Sequence, residues 1–254
     1  MSYVTTKRLD LERVFLDSLH VALARVRPPR GSVVYVSHEP HYMTFVTMQG
    51  RAPRVWFDDP SFDLEMIGEF RPKVATRPHS FLRFDGTRRG FMQVPNDAMD
   101  QDLAAEMAMN ARQPDDARRH LERALALLPT GSLTPVRLDL LNNLGFAHVA
   151  LGDTVQARRS WRAALELAPS FQSAALNLAR IDVESGRLES ARDELVRLLN
   201  VSPDAVDAWS MLVQVQRALE DLDGARGALE RLQLLDPRLA ETLREESAVT
   251  QPPR

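Results

Sequence analysis

The sequence predicts an α+β chain, in which a small α/β domain over residues 1–95 precedes an all-α superhelix of helix-turn-helix repeats. Three observations carry that prediction. Ala168-Pro169, Ser202-Pro203 and Asp236-Pro237 stand at equal steps of 34 residues, each closing a two-helix pattern. Within each step apolar residues recur three and four apart, the period of a helix with one buried stripe. Before residue 96 short runs of strand character appear, "SVVYV" and "FLRFDGTRRGFMQV", the second broken by Asp85-Gly86.

Taken in order, Leu11, Phe15, Leu19, Ala22 and Val26 place a helix over residues 8–26, ended by Pro28-Pro29. Residues 32–36 read as a short buried strand. Ser37 caps a helix running through "HEPHYMTFVTMQ" to Gly50, and "RVWF" (54–57) supplies a second strand. These make a βαβ unit with parallel strands and a right-handed crossover. Asp58-Asp59-Pro60 opens a turn or short helix, and residues 80–94 form a hairpin about Asp85-Gly86. The domain ends near Pro95-Asn96.

The repeats align on Leu144-Gly145, followed by Gly152, Ala157, Trp161, Ala164 and Pro169. The next copy reads Leu178-Ala179, Gly186, Ala191, Leu195, Leu198, Pro203. The last reads Trp209, Leu212, Val213, Ala225, Leu229, Leu232, Pro237. An earlier, degenerate copy reads Ala104-Ala105, Ala117, Leu121, Ala124, Pro129, with Arg112 where a turn glycine is expected and "SLTPVR" inserted after it. Glu220 stands where the turn glycine of the last copy is expected, with Gly224 nearby, so this turn is the least clearly marked of the three full copies. Small residues let paired helices approach closely, and Gly152 and Gly186 suit the left-handed conformation that ends a helix. One unit cannot bury both of its stripes; stacking can.

This pattern resembles the tetratricopeptide repeat (TPR) family over residues 98–246. Its units fall at 96–131 (degenerate), 138–171, 172–205 and 206–237, with a capping helix at 238–247, Leu239 and Leu243 inward, and a frayed tail "AVTQPPR". The resemblance implies peptide or protein binding in the concave groove made by the first helix of each repeat, and no catalysis. Asn143 and Asn177 hold equivalent positions there, and the family's asparagine at that place contacts peptide backbone. Arg180 lies one turn beyond Asn177, Gln214 is its counterpart in the next copy, and Asn142 and Arg217 flank them. The competing reading makes all six solvated surface residues. The lysine that TPR domains use beside the asparagine to clamp a carboxyl terminus is absent, which disfavours that mode. His120 and His148 read as core histidines, and Trp56, Trp161 and Trp209 as packing residues.

Chemistry, if the chain performs any, belongs to the strand ends. His38, Glu39, His41, Asp58 and Asp59 follow the carboxyl ends of the two expected parallel strands, where α/β sheets bind ligands. A metal or sugar-phosphate site there competes with helix capping by the two aspartates, and "HEPH" spaces its histidines three apart across a proline. Zinc-protease, phosphate-loop and nucleophile-elbow motifs are absent, so no catalytic residue, metal ligand set or cofactor is assigned. A second resemblance rests on "RVWFDDPSFD", "EFRP" and "FLRFDG". They are similar to the soluble extracytoplasmic domain of bacterial multi-pass membrane proteins of the lipid-linked-sugar glycosyltransferase type. It implies an accessory or excised portion linked to a membrane protein, without transferase activity of its own.

Composition narrows the partners. A formal net charge of -3 gives no general attraction for phosphate, so nucleic acid is not expected. Of 32 basic residues only Lys7 and Lys73 are lysine, a bias that suggests a bacterial source. The chain has no cysteine, which suits reducing and oxidising compartments alike. No stretch approaches a membrane span, and charges between Lys7 and Asp17 break up any signal-peptide core. The expected compartment is the cytoplasm if Met1 is the native start, and the periplasm if the chain is an excised domain.

Overall fold

The computed structural model describes residues 3–37, 63–66, 78–85, 90–129 and 134–250. The helix expected after Ser37, the strand at 54–57 and the turn at Asp58-Asp59-Pro60 lie outside these residues. The chain divides into two compact units, Met1–Leu140 and Leu141–Arg254.

The first unit opens with helix α1 (Tyr3–Val26). A four-stranded sheet follows, from β1 (Val33–Ser37), β2 (Asp63–Met66), β3 (His79–Asp85) and β4 (Gly90–Val94), in the order β2-β1-β3-β4. β1 runs parallel to both β2 and β3, and β3 pairs antiparallel with β4. The hairpin read from the sequence is therefore present. β2 is a strand that sequence reasoning did not propose. Its four residues offer one deeply buried apolar side chain, Leu64, too few to show a period.

Alternation along the strands explains the packing. Val34, Val36, Leu64 and Leu82 form one face and bury against Phe15, Leu19, Ala22 and Leu23 of α1; Phe15 meets Phe91 edge to face at 5.0 Å. Val33, Tyr35 and Phe81 point to the opposite face and are buried as well, with Tyr35 and Phe81 stacked at 5.6 Å. A strand buried on both faces needs the unbroken apolar run "VVYV". Helices α2 (Asn96–Asn110) and α3 (Pro114–Leu127) form the first helix pair. The sequence places a domain boundary at Pro95-Asn96, whereas this pair groups with the sheet. Asn96 Nδ2 donates to the His79 carbonyl at 2.8 Å, and Arg83 of β3 ion-pairs with Asp139.

Helix α4 (Thr134–Ala150) crosses from the first unit into the second, which continues with α5 (Thr154–Leu167), α6 (Gln172–Glu184), α7 (Leu188–Val201), α8 (Val206–Ala218), α9 (Leu222–Leu235) and α10 (Pro237–Thr250). α4 has 17 residues where α6 and α8 have 13. Part of the "SLTPVR" insert thus adds a turn to its start. Ala175, Ala179, Ala191, Leu195, Leu198, Leu212, Val213 and Leu232 form a continuous core, closed by Ala240 and Leu243 of α10. That helix runs on through Thr250, so the "AVT" expected to fray is helical.

The four turns inside the helix pairs, α2–α3, α4–α5, α6–α7 and α8–α9, share one geometry. Gly152 and Gly186 are left-handed at φ 77° and 71°, and Arg112 and Glu220 take the same conformation at 58° and 59°. In each turn the next residue's N–H bonds back across the end of the helix: Gln113 to the Ala108 carbonyl at 2.8 Å, Asp153 to His148 at 2.9 Å, Arg187 to Asp182 at 2.8 Å, and Asp221 to Gln216 at 2.9 Å. The first and last turns are therefore as regular as the middle two. Their side chains pay for it, since a Cβ in this region costs about 1–2 kcal/mol. Arg112→Gly and Glu220→Gly should each stabilise the fold by about 0.5–1 kcal/mol once the extra freedom of unfolded glycine is offset. Urea unfolding checks this, and a loss of stability in both variants would contradict the shared turn.

Candidate functional site

The second unit carries a groove of about 350 Å³ lined by Asn142 and Phe146 of α4, Ser173, Leu176, Asn177 and Arg180 of α6, and Asp207 and Met211 of α8. Every wall comes from the first helix of a helix pair. A separate hollow of about 310 Å³ lies between the second helices α5 and α7, bordered by Arg162, Leu165, Glu194, Arg197 and Leu198, with Ala175 of α6 also in its lining.

Close packing behind the groove sets its shape. Trp161 of α5 is buried and lies over Gly145, where an added Cβ would fall 2.3 Å from the indole nitrogen. This contact lets α4 and α5 approach, and the indole N–H donates to the Asn142 carbonyl at 3.2 Å. Phe146 meets the same indole edge to face at 5.8 Å. One buried aromatic thus supports two groove residues.

The polar floor is a chain of three side chains. Asn177 is 5% exposed; its Nδ2 donates to Asn142 Oδ1 at 2.9 Å, and its Oδ1 accepts from an Arg180 guanidinium N–H. Arg180 itself is exposed and has no carboxylate partner among the described residues. Of the six residues named from the sequence, the structure brings Asn142, Asn177 and Arg180 together. Asn143 and Gln214 are exposed and Arg217 is half-buried, and all three stand outside the groove lining. Phe146, Ser173, Leu176, Asp207 and Met211 were not among the residues assigned to binding: the apolar and small ones read as packing, and a lone carboxylate on a helix does not mark a groove.

Behind α6 lies a second polar cluster that sequence reasoning missed. Asp182, 2% exposed, ion-pairs with Arg158 of α5 and with Arg187 at 3.0 Å, and accepts from the Ser190 hydroxyl at 2.7 Å. Burial, then the neighbouring guanidinium groups of Arg187 and Arg162, pulls Arg158 below the ordinary arginine range. His148 and Gln216 hold the equivalent positions in the adjoining repeats and are also buried. His148 is thus inside, as expected, and Trp209 packs against the core while its indole donates to the Pro203 carbonyl at 2.9 Å.

His38, Glu39, His41, Asp58 and Asp59, the strand-end cluster, lie outside the described residues, as does Trp56. Among the described residues no three histidines or carboxylates are placed to hold a metal ion. In the first unit His120 Nδ1 sits 2.7 Å from Gln101 Oε1. Nearby, burial pushes the Asp100 carboxyl above its usual range, opposed by His79 and reinforced by Asp97. No helix among the described residues is long and apolar enough to cross a membrane.

Two family models for the tetratricopeptide repeat match the chain, over residues 103–170 and 148–205. Over residues 103–205 the helix pairs are tetratricopeptide repeats. A TPR protein from Parabacteroides merdae superposes with a TM-score of 0.51 at 18% identity, covering 60% of this chain and 62% of that one. This likeness is one of fold. In sequence the chain is 36% identical over 135 residues to cellulose synthase 2 operon protein C of Komagataeibacter xylinus. The match takes in 51% of this chain and spans about a tenth of that relative, 10% of its length.

Proposed function

We propose that the chain is a non-catalytic interaction module that holds an extended peptide segment of a protein partner in the groove of α4, α6 and α8. The observation that carries this reading is the groove's composition. It combines apolar surface from Phe146, Leu176 and Met211 with side-chain amide and guanidinium donors, on rigid helices. Amide groups suit main-chain carbonyls, whose sequence-independent bonds hold an extended peptide, while the apolar walls take alternate side chains. The role assigned to Asn142, Asn143, Asn177, Arg180, Gln214 and Arg217 narrows accordingly to the three that line the groove.

The test uses a peptide selected on the full chain from a random display library. Ser173→Trp, which fills the groove from an exposed position, should weaken it at least about a hundredfold by fluorescence anisotropy, a change of about 2.7 kcal/mol. His38→Ala with Asp58→Ala should leave binding unchanged. The reverse pattern would move the site to the strand ends and revive a small-ligand function for the first unit.

A second reading draws support from the relative named for a cellulose synthase operon. In it the chain is a soluble accessory part of a bacterial membrane glycosyltransferase-type assembly. Peptides from the soluble loops of a cellulose synthase are the corresponding probes for the same groove.

A further inference from the structure

We infer that Asn177 is a positioning residue rather than a ligand contact, and that the groove it organises selects an extended peptide bearing an acidic side chain at Arg180. This deepens the reading above and rests on it.

The argument starts from donor and acceptor counts. A carboxamide has one oxygen and one NH₂ group. Asn177 commits one N–H to Asn142 and one oxygen lone pair to Arg180, and its burial keeps the remaining N–H and lone pair from a ligand. What reaches the groove is therefore what Asn177 holds there. Because Asn142 Oδ1 already accepts from Asn177, the Asn142 amide turns its Nδ2 away, and that group has no partner among the described residues. Arg180 spends one N–H on Asn177 and keeps the rest of its fork.

The exposed end of the polar chain thus presents the Asn142 Nδ2 and the remaining guanidinium N–H groups of Arg180, the second of them cationic. A carboxylate is the complementary group, being acceptor-only with two oxygens. Five arginines of this unit, Arg158, Arg187, Arg192, Arg197 and Arg226, ion-pair with an aspartate or glutamate, and Arg244 donates to the Gln233 amide outside the groove. Arg180 faces a neutral amide. That amide orients the guanidinium without neutralising it. Asp207, on the α8 wall of the same groove, disfavours a second acidic side chain there.

The test compares, on the full chain, a display-selected peptide and its counterpart with the acidic residue changed to glutamine. Wild type should favour the acidic form at least about tenfold. Asn177→Ala should shrink that preference to about twofold, whatever it does to the affinity for the glutamine peptide, because general loss of folding weakens both peptides alike and leaves their ratio unchanged. Asn177→Asp, which puts a carboxylate against Arg180, should abolish the preference altogether. Arg180→Gln should do the same from an exposed position.

Selected peptides without an acidic residue, or an acidic preference that survives Asn177→Ala and Asn177→Asp, overturn the inference and leave groove binding standing. Selection of no peptide at all, with the fold intact by circular dichroism, removes both.

Discussion

Asp182→Ala should destabilise the second unit by about 3–5 kcal/mol, because it strips a buried guanidinium of its counter-charge. Arg158 has a side chain only 17% exposed, and among the described residues Asp182 is the one carboxylate ion-paired with it. Removing the carboxylate leaves the arginine largely out of water, charged and close to Arg187 and Arg162, which act against its charge, with only the weaker influence of Glu194 in its favour. Arg187 is different. Its side chain is 46% exposed, so water replaces the lost partner, and Arg187→Ala should cost less than about 1 kcal/mol. Ser190→Ala should fall between them, near 1 kcal/mol, for one lost hydrogen bond to a charged acceptor. Thermal or urea unfolding orders the three variants. A cost for Asp182→Ala no greater than that for Arg187→Ala would mean the cluster does not lock α5 to α6.

Gly145→Ala should cost about 3 kcal/mol, at the upper end of overpacking effects, because its Cβ would lie 2.3 Å from the Trp161 indole nitrogen. The indole cannot yield easily, being 2% exposed and bonded to the Asn142 carbonyl. The repeats themselves suggest the compensation. At the next step the same two positions carry Ala179 and Leu195, and at the one after Val213 and Leu229. The side chain on the first helix is present only where the indole on the second is replaced by leucine. Gly145→Ala combined with Trp161→Leu should therefore be more stable than the sum of the single changes allows, by about 2 kcal/mol of coupling. The double variant should still bind peptide more weakly than wild type, since Asn142 and Phe146 lose the ring beneath them. Strict additivity would show that glycine is present for some reason other than the indole.

The repeat array was legible because its chemistry recurs: proline at each 34-residue step, small residues at each helix crossing, and glycine in two turns. Arg112 and Glu220 hid the other two turns, since their backbone conformation is imposed by the helix-end hydrogen bonds rather than declared by residue type. β2 was hidden by brevity.

At the groove, equivalence by repeat step pairs Asn143 with Asn177, whereas the hydrogen bond runs from Asn177 to Asn142, 35 residues away. Neighbouring helices meet side chain to side chain across a twist, so the residue in reach is one place off the sequence equivalent. Asp182 was invisible for a related reason. A lone aspartate on a helix reads as a solvated surface charge, and only the fold brings in Arg158 from the preceding helix to neutralise it.

Photo-crosslinking with a display-selected peptide carrying a benzophenone tests the proposed binding mode most directly. The account predicts attachment to Phe146, Leu176 and Met211 on α4, α6 and α8, lost with Ser173→Trp. Attachment instead to Leu165 or Leu198 in the hollow of the second helices, or to the sheet of the first unit, would contradict it.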